Sequence, residues 1–158
     1  MSDTVITAEP GTAQVVITRE FDAPRDLVFR CYTDPDLIAR WMGPRELTTK
    51  ITEYDVRDGG RWSYVSADAD GNEYGFRGVF HGTPTPDLTI QTFEFLGLPG
   101  HVALEALTMT EENGRTLVRT LSSFQSVEDR DGMVESGMEV GVRDSDARME
   151  ELLAELQR

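Results

Sequence analysis

HVALEALTMTEENGRTLVRTLSSFQSVEDRDGMVESGMEVGVRDSDARMEELLAEL, residues 101–156, changes its period halfway along. Its first part holds two strand-like runs, His101 to Thr110 and Arg115 to Phe124, which meet at Asn113-Gly114. Asn-Gly between such runs marks a hairpin, because a type I′ turn needs positive φ at both central residues. A two-residue loop there pairs Glu112 with Arg115. That register sets Glu105 opposite Ser122 and Thr108 opposite Arg119, so Glu105 and Arg119 fall on opposite faces and one of them points inward. Beyond the hairpin, Ser126-Val127-Glu128-Asp129 reads as a capped helix start, with an acidic residue three positions after Ser126. Met138, Val142, Met149, Leu152 and Leu156 then recur at spacings of four, seven, three and four, which is one helical face. Ser145 falls on the same stripe. A long helix with such a stripe needs an apolar partner, and the large one on offer is a sheet.

The strands for that sheet lie upstream. Gln14 to Phe21, with Val15, Val16, Ile17 and Thr18, reads as the first. Asp22-Ala23-Pro24 and Thr33-Asp34-Pro35 then open two short helices whose apolar faces hold Leu27, Val28, Cys31 and Tyr32, then Leu37, Ile38 and Trp41. Gly43-Pro44 stops the second. Four more runs follow, Leu47 to Val56, Arg61 to Ala67, Glu73 to Thr83 and Leu88 to Leu96, each bounded by Gly, Pro, Asp or Asn. Their short spacings leave no room for crossover helices, so the sheet is antiparallel. One sheet must bury a face, and one long helix covers it. The expected fold is α+β: a seven-stranded curved antiparallel sheet wrapping a long C-terminal helix, with two short helices between the first and second strands. Residues 1–12 read as a flexible tail, and 13–158 as a single domain.

Charge narrows the partners. Fifteen basic and 29 acidic side chains leave a net −14, which repels phosphate backbones and argues against nucleic acid and anionic membranes. No positively charged stretch followed by an apolar run marks a signal peptide, and no segment has the length of a membrane span, so the cytoplasm is the expected location. Cys31 is the single cysteine, which excludes an intrachain disulfide and a cysteine metal cluster. On the apolar face of a helix its thiol should be inert. Asp68, Asp70 and Gly71 echo a calcium loop, but the glycine is misplaced and a hairpin turn explains them. His81 and His101 have neither a nucleophile partner nor a metal-ligand spacing. No metal and no cofactor are expected, and a homodimer is left open.

Six segments now stand out: Phe21-Asp22-Ala23-Pro24, Tyr32-Thr33-Asp34-Pro35, Arg40-Trp41-Met42-Gly43-Pro44, Gly59-Gly60-Arg61-Trp62, Phe76-Arg77-Gly78-Val79-Phe80 and Ser136-Gly137-Met138-Glu139-Val140-Gly141. In this order the chain resembles the START-like or SRPBCC superfamily, the helix-grip fold of the birch-pollen allergen. Within it the resemblance is to the branch named after the activator of the heat-shock-protein-ninety ATPase. One departure is Met42, where relatives commonly carry a second aromatic. The resemblance implies a cavity between sheet and long helix, often used for lipids, polyketides or other apolar molecules. It implies no agreed catalytic motif. An iron–sulfur hydroxylase would need further cysteine and histidine ligands, which Cys31, His81 and His101 cannot supply.

The residues expected to line such a cavity are Trp41, Trp62, Tyr64, Phe76, Phe80, Phe93, Phe95, Met138, Gly141 and Val142. The strand aromatics pair up by alternation and are bulky for a sheet that covers a single helix. Gly137 and Gly141 cost roughly 1 kcal/mol each inside a helix; they make room either for a ligand or for close approach of the sheet backbone. The leading functional reading is binding of an apolar small molecule. A cyclase- or hydrolase-type enzyme using the same cavity is second, and an interaction module for a chaperone ATPase is third, since fold alone fixes none of them.

Overall fold

The protein is described here by a computed structural model covering residues 4–158. The strands are β1 (Val5–Thr7), β2 (Gln14–Phe21), β3 (Thr48–Tyr54), β4 (Arg61–Ala67), β5 (Glu73–Val79), β6 (Thr89–Phe95), β7 (Val102–Glu112) and β8 (Arg115–Ser123). They form one curved antiparallel sheet in the order β1-β2-β8-β7-β6-β5-β4-β3. The sheet has eight strands rather than the expected seven. The extra one is β1, inside the segment read as a tail, where Val5, Ile6 and Thr7 pair with Thr18, Ile17 and Val16. Three residues are too few to show an alternating pattern. What holds them lies far away in the chain: Thr4 Oγ1 donates to Asp146 Oδ2 at 2.6 Å, and Arg143 donates to the Thr4 carbonyl at 2.8 Å.

Strands β2 and β3 are consecutive in the chain but far apart in the sheet. Helices α1 (Arg25–Thr33) and α2 (Pro35–Trp41) make that traverse. Pro24 occupies the cap position of α1 and offers no side-chain acceptor; the Arg25 N–H instead donates to the Glu111 carboxylate of β7 at 2.6 Å. Asp34 caps α2 by accepting from the Asp36 N–H at 3.0 Å. The Trp41 indole donates to the Cys31 carbonyl at 2.9 Å, tying the two helices together.

The expected single C-terminal helix is two: α3 (Val127–Glu135) and α4 (Met138–Leu156). Ser126 caps α3 as expected, accepting from the Asp129 N–H. The break falls at Gly137, whose φ of +88° is left-handed and suits glycine alone at no steric cost. Gly137 is therefore a joint between helices and not a glycine within one. Arg148 of α4 donates to the carbonyls of Arg40, Met42 and Gly43, supplying the exposed end of α2 with the partners it lacks. Ser145 accepts from the Gly43 N–H at 2.9 Å. The Arg40 to Pro44 segment is thus pinned to the last helix.

Two buried clusters result. Phe21, Val28, Cys31, Trp41, Met109, Val118, Met149, Leu152 and Leu153 pack where α1, α2 and the second half of α4 meet β2, β7 and β8. Trp62, Tyr64 and Phe80, with Tyr54, Phe76 and Phe93 beside them, form the other under β3 to β6. The first half of α4 does not fill the space above this second cluster.

Candidate ligand-binding cavity

That unfilled space is a cavity of about 940 Å³. Its floor is aromatic because inward positions on neighbouring strands carry rings in register. Tyr64 lies opposite Phe76, and Trp62 opposite Gly78. Trp62 stacks on Tyr64 with centroids 5.7 Å apart, Tyr64 on Phe76 at 5.0 Å, and Phe76 leans on Phe93 at 5.5 Å. Gly78 is what lets Trp62 lie down. A Cβ there would sit 2.0 Å from the Thr92 carbonyl oxygen and 2.4 Å from the indole nitrogen. The indole N–H is buried with no hydrogen-bond partner among the described residues. Gly60 has a related reason: its Cβ would fall 1.9 Å from the Asp55 carbonyl oxygen. The glycines of two of the six segments thus mark close backbone approaches, Gly78 beneath Trp62 and Gly60 in the β3–β4 turn.

The roof comes from Met138, Gly141 and Val142 of α4, with Trp41 and Met42 at the end of α2. Nine of the ten expected residues, all but Phe95, line the cavity. Phe95 faces inward by alternation and rests on Phe76 at 5.3 Å, but the chain turns at once and its ring packs over Gly97, outside the lining. A Cβ on Gly141 would meet only the Pro44 ring, at 3.7 Å, and no sheet backbone. Close packing of strands is therefore not what calls for a glycine there. Exposed members of the lining, among them Glu46, Ala69, Asp70, Tyr74, Ser136 and Val140, mark the mouth.

Polar groups enter at two places. Glu105 points inward and Arg119 outward. Glu105 Oε1 accepts from Gln91 Nε2 at 3.1 Å and Oε2 from the Ser122 hydroxyl at 3.2 Å. The surface it keeps faces the cavity; burial pushes its carboxyl up, against the opposing pull of those two hydrogen bonds. At the second place Arg19 and Asp146 reach the lining, with the Arg19 guanidinium 5.3 Å over the Phe21 ring. Burial raises Asp146, which Thr4 partly opposes. The phenols of Tyr32, Tyr54 and Tyr64 are driven far above their usual range, chiefly by burial. They stay neutral at any physiological pH.

Three further candidates from the sequence are Cys31, His101 and the Asp68 turn, the last of which borders the cavity. Cys31 is fully buried and desolvation pushes its thiol up to about 11, the opposite of an activated nucleophile. His101 Nδ1 pairs with Asp129 Oδ1 at 2.9 Å on the surface. Asp68 accepts from the Asp70 and Asn72 N–H groups and from the Asn72 amide, closing the β4–β5 hairpin. Sequence reading left out Tyr32, Tyr54, Gln91 and Ser122 as site residues. The Asn113-Gly114 register already placed Ser122 beside Glu105, but no comparable signal tied Gln91 to Glu105 across the β6–β7 loop.

The family model described as Activator of Hsp90 ATPase homolog 1-like protein matches residues 22–154. No curated protein matches this chain. Among solved structures, a protein from Mycobacterium smegmatis is 23% identical, with a TM-score of 0.84 over 95% of this chain and 96% of that one. One from Arthrobacter aurescens is 25% identical, with a TM-score of 0.87 over 96% and 91%. The AHSA1 protein from Silicibacter pomeroyi is 20% identical, with a TM-score of 0.73 over 92% and 100%. These likenesses show the helix-grip architecture, and together with the family match over nearly the whole domain they place the chain: it belongs to the Activator of Hsp90 ATPase homolog 1-like family.

Proposed function

We propose that the protein binds an apolar small molecule, such as a lipid or polyketide, in the cavity between the sheet and α4. The observation that carries this reading is the cavity itself, about 940 Å³ and walled by stacked aromatic rings. Small-molecule sites are typically concave, mostly apolar and roughly 300–1,000 Å³, with a few convergent polar groups. Each methylene that leaves water for such a wall contributes about 0.8 kcal/mol, so a chain of roughly eight carbons offsets the lower range of the association cost.

Gly141 gives the test. Gly141→Leu adds volume to the roof and meets only Pro44 at first contact. It recovers up to about 1 kcal/mol of helix propensity, so the melting temperature should hold or rise. Binding of the neutral dye N-phenyl-1-naphthylamine, followed by fluorescence, should weaken at least tenfold. Unchanged dye affinity in the folded variant would count against the proposal.

A further inference from the structure

We infer that the cavity takes a hydrophobic amine as a cation, with Glu105 as its counter-ion; this rests on the cavity-binding reading above. Glu105 is held from two sides by its strand neighbours. Its two oxygens each accept one hydrogen bond, from the Gln91 amide and the Ser122 hydroxyl. Two donors aimed at two separate oxygens suit the carboxylate form, and a carboxylate has further lone pairs to offer. Both donors are neutral. No arginine, lysine or histidine among the described residues forms an ion pair with Glu105. The cation that shares the lining, Arg19, is two strands over and several residues along, about 15 Å by strand spacing and rise. It is engaged there with Glu150 and Thr4.

A carboxylate inside a fold without a counter-charge is costly, and burial raises the proton affinity of this one accordingly. A ligand bearing positive charge removes that cost, while a neutral one does not. The other walls favour the same ligand. Phe93 lies two residues from Gln91 on the same inward face, and its ring is 6.0 Å from that of Trp62, which stacks on Tyr64. Ring faces attract a cation through their quadrupole, most strongly when it is desolvated. The titratable groups that feel Glu105 are the phenols of Tyr54 at the end of β3 and Tyr64 on β4, which remain neutral and do not compete for its charge.

A matched pair of probes tests this at neutral pH. 1-Naphthylmethylamine and 1-naphthalenemethanol share shape and apolar area and differ in the charge of one group. Fluorescence titration of the full chain should find the amine bound at least tenfold more tightly than the alcohol. In Glu105→Gln, shown to be folded by its melting curve, that ratio should fall to about one. A ratio near one in the unaltered protein overturns the amine inference and leaves the cavity reading intact, since the alcohol still binds. A preference that survives Glu105→Gln overturns Glu105 as the counter-ion. Failure of both compounds to bind overturns the cavity reading and the inference together.

Discussion

Phe21→Ala is expected to destabilise the fold by about 3–5 kcal/mol, the range for truncating a fully buried phenylalanine. Phe21 is completely buried at the end of β2. It belongs to the same cluster as Val28 and Cys31 of α1, Met109, Val118 and Met149. Those neighbours come from four elements that cannot all close in, because α1 is also pinned through Arg25 to Glu111 and Met109. A cavity is therefore left behind and adds to the lost transfer energy. For a chain of this size each kcal/mol shifts the melting temperature by roughly 2–4 °C, so a fall of roughly 6–20 °C is expected. Urea denaturation measures the free energy directly. A loss below about 1 kcal/mol would mean that this end of the molecule is not the packed core.

Gly78→Ala is the second large effect, and it acts by overpacking. The added methyl would meet the Thr92 carbonyl oxygen at 2.0 Å and the Trp62 indole at 2.4 Å and 2.5 Å. Neither can step aside cheaply: Thr92 is backbone of the paired strand β6, and Trp62 is 3% exposed and held by Tyr64 and Phe93. Overpacking costs about 1–3 kcal/mol and occasionally more; with backbone as one obstacle, the upper end or beyond is expected. Gly132→Ala is the control of opposite sign. It sits within α3 with nothing within 4 Å of the new Cβ, so it should stabilise by up to about 1 kcal/mol. Equal melting temperatures for the two variants would contradict the packing described for Trp62.

Much of this architecture was legible in the residues. Asn113-Gly114 set the β7–β8 register residue by residue, and with it the opposite faces of Glu105 and Arg119; which of the two points inward became visible only in the structure. The stripe through Met149, Leu152 and Leu156 located the grip of α4, although buried Asp146 and Leu153 on that helix did not announce themselves. Strand β1 stayed hidden because its stabilisation comes from Asp146 and Arg143, more than a hundred residues away. The break at Gly137 was hidden for a different reason: a left-handed joint and a glycine tolerated inside a helix look alike in one dimension. The aromatic floor could be listed from alternation, but not its limit at Phe95, which depends on where the chain turns. That Glu105 would be met by Gln91 depended on the β6–β7 register, and the loop between those strands carries no two-residue turn signal.

The central claim, that this cavity is where an apolar ligand sits, is tested most directly by its own indoles. Trp62 and Trp41 both line the cavity, and the Trp41 N–H is bonded to the Cys31 carbonyl while the Trp62 N–H has no partner among the described residues. A ¹H–¹⁵N correlation spectrum recorded during titration with 1-naphthalenemethanol separates these two side-chain signals. If the ligand sits there, the Trp62 indole shifts saturably together with Ala103, Glu105 and Val142. Shifts confined to the outer-face residues Leu104 and Leu117, with the Trp62 signal unmoved at saturation, would contradict it.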